Sequence, residues 1–550
     1  MIRRITVYTY LIFVLFQVLM AQEKEGEVRD AEFIIEKKKA VRLPQANRIF
    51  SPFDISVHVA PLNADLTMEE PEFTIPTFSP SIKNTFQESH EKKETYPNYA
   101  RAAFGNLISP LIEYSYRSEG STPYGIHLFH ESFGRGPVRD ENSAFNESQM
   151  SLWGMLEGRQ TTVKADISYQ RNGFYYYGLS DSIFNAPEAD SVFFKEQAFR
   201  NNLRVGFSIE GRSANNKLNY SITPSWNYTD LVDFSLFSRE NFVDISSELD
   251  LEVNNELTIY TDLSSSFISS DSDLTQTRSW LRFNPGIVLS KPYFSLRAGV
   301  ILNNQTDDLF ADHLLVAPDL KATFQLSNSS FVFARIDGSV DKNSLRRLSE
   351  RNMFLTDSLR WTSTLNKFQI KAGWSGYQLD KLRTAADLTF RAADNQALYL
   401  NNPSDPSRFD VVYDSSFHQI SLNVNGKYQF NDQWSLFTGH QVNIYDAGSE
   451  EEAWHLPIYR GETRLSGKFD RISASTTILM LSGMKSYSFD NEEVINISSI
   501  FDLGIDVSYS INPKGTVFLS LKNMLNQNNE RYLNYPAIPL NFKIGGYYSF

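Results

Sequence analysis

The 550-residue chain sets 52 Lys and Arg against 65 Asp and Glu, a formal net charge of −13, which offers no electrostatic footprint for nucleic acid. It has no cysteine, which excludes disulfides, thiolate metal sites, Fe–S clusters, a Cys nucleophile and a lipid anchor on an N-terminal cysteine. Aromatic residues reach 14% in a chain only 41% hydrophobic, a pairing that excludes a helical membrane protein and argues against simple disorder.

Residues 1–21 have the order of a secretory signal. Arg3 and Arg4 supply the positive start, residues 5–20 are mostly apolar, and Leu19-Met20-Ala21 precedes Gln22 as a small-residue cleavage site. The apolar run is interrupted by Thr6, Thr9 and Gln17, which sets it apart from a spanning anchor. Residues 22–97 follow, with prolines at 44, 52, 61, 71, 76, 80 and 97 and several charges. This composition predicts a short extended periplasmic segment, either a tether or a partial filler of a lumen. Within it Phe33, Ile34 and Ile35 form a β-prone run flanked by charge, a candidate strand for pairing with a partner's sheet. The blander alternative is local pairing or disorder.

From residue 98 to residue 550 the dominant signal is alternation. Val163, Ala165, Ile167 and Tyr169 share one face, and Lys164, Asp166, Ser168 and Gln170 the other. Leu203, Val205, Phe207 and Ile209 alternate with Arg204, Gly206, Ser208 and Glu210, and Ile420, Leu422 and Val424 with Ser421, Asn423 and Asn425. Successive strand side chains point to opposite faces, so each segment separates an apolar surface from a polar one. A soluble β-sandwich alternates too. These segments are longer than globular strands, about 9 to 14 residues, and their polar faces repeatedly carry Lys, Arg, Asp and Glu. Aromatics gather near segment ends, as in Tyr175-Tyr176-Tyr177, Trp226 with Tyr228, Trp434, and Tyr547 with Tyr548. That is where interfacial girdles belong. The expectation is an all-β fold: an antiparallel transmembrane outer-membrane β-barrel of about 20 to 22 strands over residues 98–550. Lys164, Asp166, Arg204 and Glu210 are expected to line its lumen in cross-strand pairs.

Tight turns are predicted at Asn215-Asn216, Asn254-Asn255, Asn431-Asp432 and Asn512-Pro513-Lys514-Gly515, facing the periplasm with both termini. Longer loops are predicted at 185–196, 271–278, 341–357, 401–410, 448–457 and 526–539. A short helix is expected over residues 345–353.

The chain ends LNFKIGGYYSF, with Phe542, Ile544, Tyr548 and the terminal Phe550 on one face. This resembles the closing strand of bacterial outer-membrane barrels, which implies recognition of these four residues by the barrel-assembly machinery during insertion. Upstream, Lys522, Asn523, Leu525, Asn526, Gln527, Tyr535 and Pro536 resemble the end of TonB-dependent receptors, and NYARAAFGNLISPLIEYSY (98–116) resembles the opening strands of such a barrel. Pro539-Leu540 stands where the family usually has Gly-Arg. The resemblance implies a Gram-negative outer-membrane location with outer-membrane lipid around the wall, and a plug domain of well over a hundred residues. Residues 22–97 are too few for that plug and lack its Gly-rich pattern, so a plugless relative is expected.

A barrel of this width is a hole unless something fills it. The tether, inward-folded loops and another protein are the candidate fillers. Two functions stay open: transport or reception across the outer membrane with a periplasmic or surface lipoprotein partner, and a non-transporting subunit of an assembly or secretion complex. No HExxH, GxSxG, P-loop or EF-hand pattern occurs, so neither an enzyme nor a bound cofactor is expected. His127 and His130 are three apart, which on a strand puts them on opposite faces. Asp307, Asp308, Asp312 and His313, like Glu450, Glu451, Glu452 and His455, read as solvated loop charge rather than a metal site.

Overall fold

The computed structural model describes residues 96–120, 122–138, 140–178, 197–233, 237–272, 275–356, 361–379, 381–489 and 491–550. The signal segment, the Pro-rich segment up to residue 95 and the Phe33-Ile34-Ile35 run lie outside them.

Twenty-two antiparallel strands, from Asn98–Gly105 to Asn541–Ser549, form one sheet. Its first and last strands pair with each other, Tyr99 opposite Ser549 and Gly105 opposite Lys543, so the sheet closes into a barrel. Closure is what lets a sheet cross lipid, because it leaves no row of unpaired N–H and C=O groups. The seam is locked at one end by Asn98 and Phe550, which exchange both backbone hydrogen bonds at 3.0 Å, while the Asn98 amide donates to the Phe550 carbonyl at 3.1 Å. At its other end Gly105 lets the strands approach, since a Cβ there would lie 1.9 Å from the Phe542 carbonyl oxygen.

The period-two reading carries over to the wall. Ile167, Tyr169, Val205, Phe207, Ile420, Leu422 and Val424 all stand exposed on the outer face. The expected lumen pairs form: Lys164 Nζ donates to both Glu210 oxygens at 3.1 and 3.2 Å, and Arg204 lies 3.7 Å from Asp166. Deeper in the wall Tyr260 donates to Asp319 at 3.0 Å, and the Arg297 guanidinium covers the Tyr260 ring at 3.4 Å while bonding Asp319 and Asp262. Among the described residues no helix is long and apolar enough to cross a membrane; this wall crosses with strands.

The two ends of the barrel differ. At the end bearing Asn98 and Phe550 the connections are tight, and four of them use the same chemistry. Asn215 accepts from the backbone N–H of Lys217, Asn254 from Glu256 and Leu257, Asn431 from Gln433 and Trp434, and Asn512 from Lys514 and Gly515. This is an Asx turn, the asparagine side chain standing in for a turn of backbone. At the opposite end the connections are long and structured. They contain a helix, Leu345–Arg351, and three two-stranded hairpins: Gln396–Asn401 with Phe409–Asp414, Lys485–Ser488 with Glu493–Asn496, and Glu530–Tyr532 with Tyr535–Pro536.

Several expectations are corrected here. Gln276, Thr277 and Arg278 belong to the strand Thr275–Lys291 rather than to a loop, and the loops at 401–410 and 526–539 carry hairpin strands. Tyr176 and Tyr177 do not belong to a lipid-facing girdle; they turn inward into the packed core of the loop end. Tyr547 faces inward against Tyr99, 5.7 Å between ring centroids. Alternation stops at the last residue of a strand, so it says nothing of where Tyr176 and Tyr177 pack, while within Asn541–Ser549 it puts Tyr547 on the face opposite Tyr548.

Strand length also varies around the wall. Strands run to 16 and 17 residues at Phe237–Glu252 and Thr275–Lys291, but only 8 and 7 at Asn98–Gly105 and Leu111–Arg117. At about 3.3 Å per residue a 17-residue strand reaches about 55 Å, well beyond a hydrocarbon layer of about 25–30 Å even when tilted. The tall side of the wall therefore projects from the membrane and gives the loop segments a surface to fold against.

Candidate functional site

The long connections meet in one apolar core over the barrel mouth. Phe133, Phe145, Phe174, Ala198 and Leu231 come from strand ends on one arc of the wall, Leu345, Leu348, Phe354 and Trp361 from the helical loop, Tyr399 and Phe409 from the first hairpin, and Tyr532, Tyr535 and Ile538 from the last. These segments are rooted on distant strands of the ring and join in a single cluster, so they form a cap that spans the mouth.

Residues 342–356 and 361–363 hold this cap to the inner wall. The helix starts at Ser344, whose side chain accepts from the Arg347 N–H at 3.1 Å, and the Glu240 carboxylate on the wall accepts from the Leu345 N–H at 2.8 Å. Arg200, fully buried, donates to the Ser349 carbonyl at 2.6 Å and to Asn172 at 2.8 Å. Arg346 reaches Asn227 at 2.6 Å, Lys342 pairs with Asp244 at 3.0 Å, and Gln276 donates to the Trp361 carbonyl at 2.8 Å. Each wall partner is a polar residue on a strand's inner face. A hydrated lumen lining thus doubles as a set of docking points for backbone that would otherwise lack partners.

Tyrosine hydroxyls then stitch loop to loop. Tyr176 donates to the Leu355 carbonyl at 3.1 Å, Tyr177 to Pro536 at 3.1 Å, Tyr399 to Leu348 at 3.1 Å, Tyr532 to Arg351 at 2.6 Å, and Tyr535 to Ser407. Burial pushes the Tyr177, Tyr399 and Tyr535 hydroxyls well above the ordinary phenol range, so these three remain protonated donors at any physiological pH. The rings stack as well, Phe354 on Tyr535 with centroids 3.7 Å apart and Tyr177 against Tyr535 at 4.8 Å. Arg408 completes the contact between hairpin and wall, over the Tyr176 ring at 4.0 Å and bonded to Asp233 at 2.6 Å. Burial opposes the Arg408 charge, but Tyr176, Asp233 and Asp405 outweigh it and raise its pKa.

The residues singled out in the sequence fall in different places. Phe542, Ile544, Tyr548 and Phe550 share the outer face of the closing strand and are exposed there. Ile544 lies opposite Phe104 and Tyr548 opposite Ala100 across the seam. Asn523 and Asn526 both take left-handed backbone, φ 46° and 49°. Asn523 bonds the Gln527 and Ile538 carbonyls at 3.0 and 3.1 Å, and Asn526 accepts from the Leu540 N–H at 2.8 Å. The C-terminal motif is therefore the hinge that folds the last hairpin inward. His127 is buried on the inner face, 3.1 Å from Glu113, whereas His130 bonds Ser148 on the other face.

The two acidic clusters are backbone and loop anchors. Asp308 accepts from the Thr277 N–H and hydroxyl, Asp312 from the Asp307 N–H, and Asp307 from the Leu309 N–H and Gln276. Glu450 accepts from the Trp454 indole and Glu452 pairs with Lys485. His455 is not solvated charge but fully buried in the cap. Among the described residues no group of three or more His, Asp or Glu is placed to hold a metal ion.

A closed 22-strand antiparallel wall, apolar outside, charged within and structured at one mouth, defines the fold as an outer-membrane β-barrel. Barrels of the same fold are found among solved structures. The chain is similar in structure to the ferric-catecholate import receptor Fiu from Escherichia coli K12 (TM-score 0.62, 10% identity, 83% of this chain and 82% of that one). It is similar also to the FrpB iron transporter from Neisseria meningitidis, F3-3 variant (0.66, 8%, 84% and 82%), and to the copper transporter OprC (0.63, 9%, 84% and 82%). At these identities the likeness is one of fold. No family model and no curated protein matches the sequence.

Proposed function

We propose that this protein is a transport barrel of the outer membrane, its lumen a path for a polar solute and its loop cap the gate. The observation that carries this reading is the pairing of a charged inner wall with a mouth that, among the described residues, is bridged by noncovalent, loop-borne contacts. A wall lined by Lys164, Asp166, Arg204 and Glu210 suits hydrated passage, and a cap of hydrogen bonds and stacked rings can open without breaking the wall. The fold shared with import receptors supports the same reading. In this reading residues 1–21 are removed on export, residues 22–97 lie in the periplasm with both termini, and the cap faces outward. Phe542, Ile544, Tyr548 and Phe550 guide insertion, and Phe33-Ile34-Ile35 offers a strand to a periplasmic or surface lipoprotein partner.

The extent of the cap also favours a second reading. A non-transporting scaffold subunit of an assembly or secretion complex has no need of an open mouth. Liposome swelling separates the two. The full chain is reconstituted beside a variant in which residues 343–362 are replaced by a short Gly-Ser linker. Transport through the lumen expects slow swelling in small sugars for the full chain and fast swelling for the variant. Equal, negligible swelling of both, with the wall folded, sinks the transport reading in favour of the scaffold.

A further inference from the structure

One residue ties the cap's moving parts together. His455 lies in the connection between the strands Trp434–Asp446 and Tyr459–Phe469 and is fully buried, with left-handed backbone at φ 59°. Its ring contacts two different hairpins. Nδ1 is 2.9 Å from the Tyr399 carbonyl, which can only accept, so Nδ1 carries a proton. Nε2 is 3.3 Å from the backbone N of Leu533, which can only donate, so Nε2 is bare. The two partners together define a neutral imidazole of one tautomer. The His455 backbone extends the knot: its N–H donates to the Lys485 carbonyl at 2.8 Å, and its carbonyl accepts from Arg531. Phe409 and Tyr532 close around the ring with centroids 5.5 and 5.3 Å away.

The charged groups around this ring would not welcome a second cation. From the last hairpin come Arg531, bonded to the His455 carbonyl, and Tyr532; Glu530 there accepts from the Asn534 N–H. The first hairpin presents Tyr399, and behind it the helix presents Arg351, whose carbonyl takes the Tyr532 hydroxyl. The middle hairpin presents Lys485, already paired with Glu452 of the loop that bears His455, where Glu450 holds the Trp454 indole. A proton added at Nε2 points at the Leu533 N–H, donor against donor, in a buried site.

We propose that His455 is a proton-operated latch: protonation breaks its bond to Leu533, loosens the last hairpin against the first, and opens the cap when the outer medium turns acid. This rests on the reading of the cap as the closure of the lumen. Burial, with the Arg531 charge adding to it and the Tyr399 carbonyl opposing, holds the imidazole at about 3 in the closed cap, against an ordinary 6.5. The sign follows: the closed state binds fewer protons than the open one, so its advantage is complete above about 6.5 and is lost as the pH falls from there toward 3.

The test is conductance of the full chain in planar bilayers at pH steps from about 7.5 to about 4.5. A single-proton latch expects conductance to climb by up to about tenfold per pH unit below the onset. His455→Gln offers an amide N–H to Tyr399 and an amide oxygen to Leu533 without titrating, so this variant should stay closed throughout. A flat wild-type profile overturns the latch, and so does an acid response of His455→Gln equal to that of the wild type. Should that variant fail to fold, hydrogen exchange on the wild type decides. Residues 396–414 and 530–538 are expected to lose protection at pH 5 while the wall keeps it, and unchanged protection overturns the latch. Loss of cap protection without conductance upholds the latch and overturns the transport reading instead.

Discussion

Asp414 shows how a single side chain can anchor a loop that carries no regular structure. Its buried carboxylate collects the backbone N–H groups of Ser416, Gly448, Ser449 and Glu450 at 3.0, 3.2, 2.9 and 2.8 Å, binding the first hairpin to the loop that bears His455. Burial alone would raise its pKa, but these four donors outweigh burial and hold it below the usual 3.8. A depressed carboxylate stabilises the folded cap above that ordinary value, and the contribution is lost as pH falls through the lower, folded value. Its acid window therefore lies below the onset of the His455 response. Asp414→Asn removes the charge and one acceptor oxygen, and is expected to cost the cap about 1–3 kcal/mol at neutral pH. Hydrogen exchange at Ser449 and Glu450 reads this directly; amides as slow as in the wild type would show that the carboxylate does not hold the loop.

Among the elements, the last hairpin is the keystone of the cap. Tyr535 sits between Phe354 and Tyr177, and Gly178 lies so close beneath it that a Cβ there would be 1.9 Å from the ring. Tyr535→Phe keeps the ring but loses the hydroxyl's bonds to the Ser407 carbonyl and the Gly178 N–H, and is expected to cost about 1–2 kcal/mol. Tyr535→Ala empties the centre of the stack and is expected to cost about 3–5 kcal/mol, as does displacement of the ring by Gly178→Ala at the lower end of that range. Proteolysis of the cap at neutral pH ranks them: wild type slowest, then Tyr535→Phe, then Gly178→Ala, then Tyr535→Ala. Equal rates for Tyr535→Ala and the wild type would mean that the stack does not hold the cap closed.

At the scale of the whole molecule, wall and cap are two layers of unequal stability. The wall is held by a closed ladder of backbone hydrogen bonds in which no strand can leave alone, while the cap rests on side-chain contacts between loops and a few backbone bonds, such as Phe409 N–H to the Phe354 carbonyl at 2.8 Å. Heating in detergent is expected to release the cap first and the wall only near boiling. Two observables separate the steps: cap proteolysis rises at moderate temperature, and gel mobility of the compact barrel changes only after boiling. Coincident transitions would mean that the cap is part of the barrel's cooperative unit. Tyr535→Ala should lower the first transition and leave the second in place.

Much of the wall was legible in the sequence. Val163, Ala165, Ile167 and Tyr169 announce an apolar outer face because strand side chains alternate whatever the strand pairs with. Asn215, Asn254, Asn431 and Asn512 announce tight turns because an Asx turn is closed by residues two and three along the chain. The short helix near Leu345 was legible too, since a helix start is a local event. The cap was not. Tyr177 reaches Pro536 across 359 residues of chain and Arg200 reaches Ser349 across 149, and no period or spacing links such positions. His455 looked like loop charge because only the folded molecule brings the Tyr399 carbonyl and the Leu533 N–H to its two nitrogens. Local backbone chemistry repeats down the chain and is written there residue by residue. Closure of the ring and assembly of the cap depend on which distant segments the ring sets side by side, and that is decided only in three dimensions.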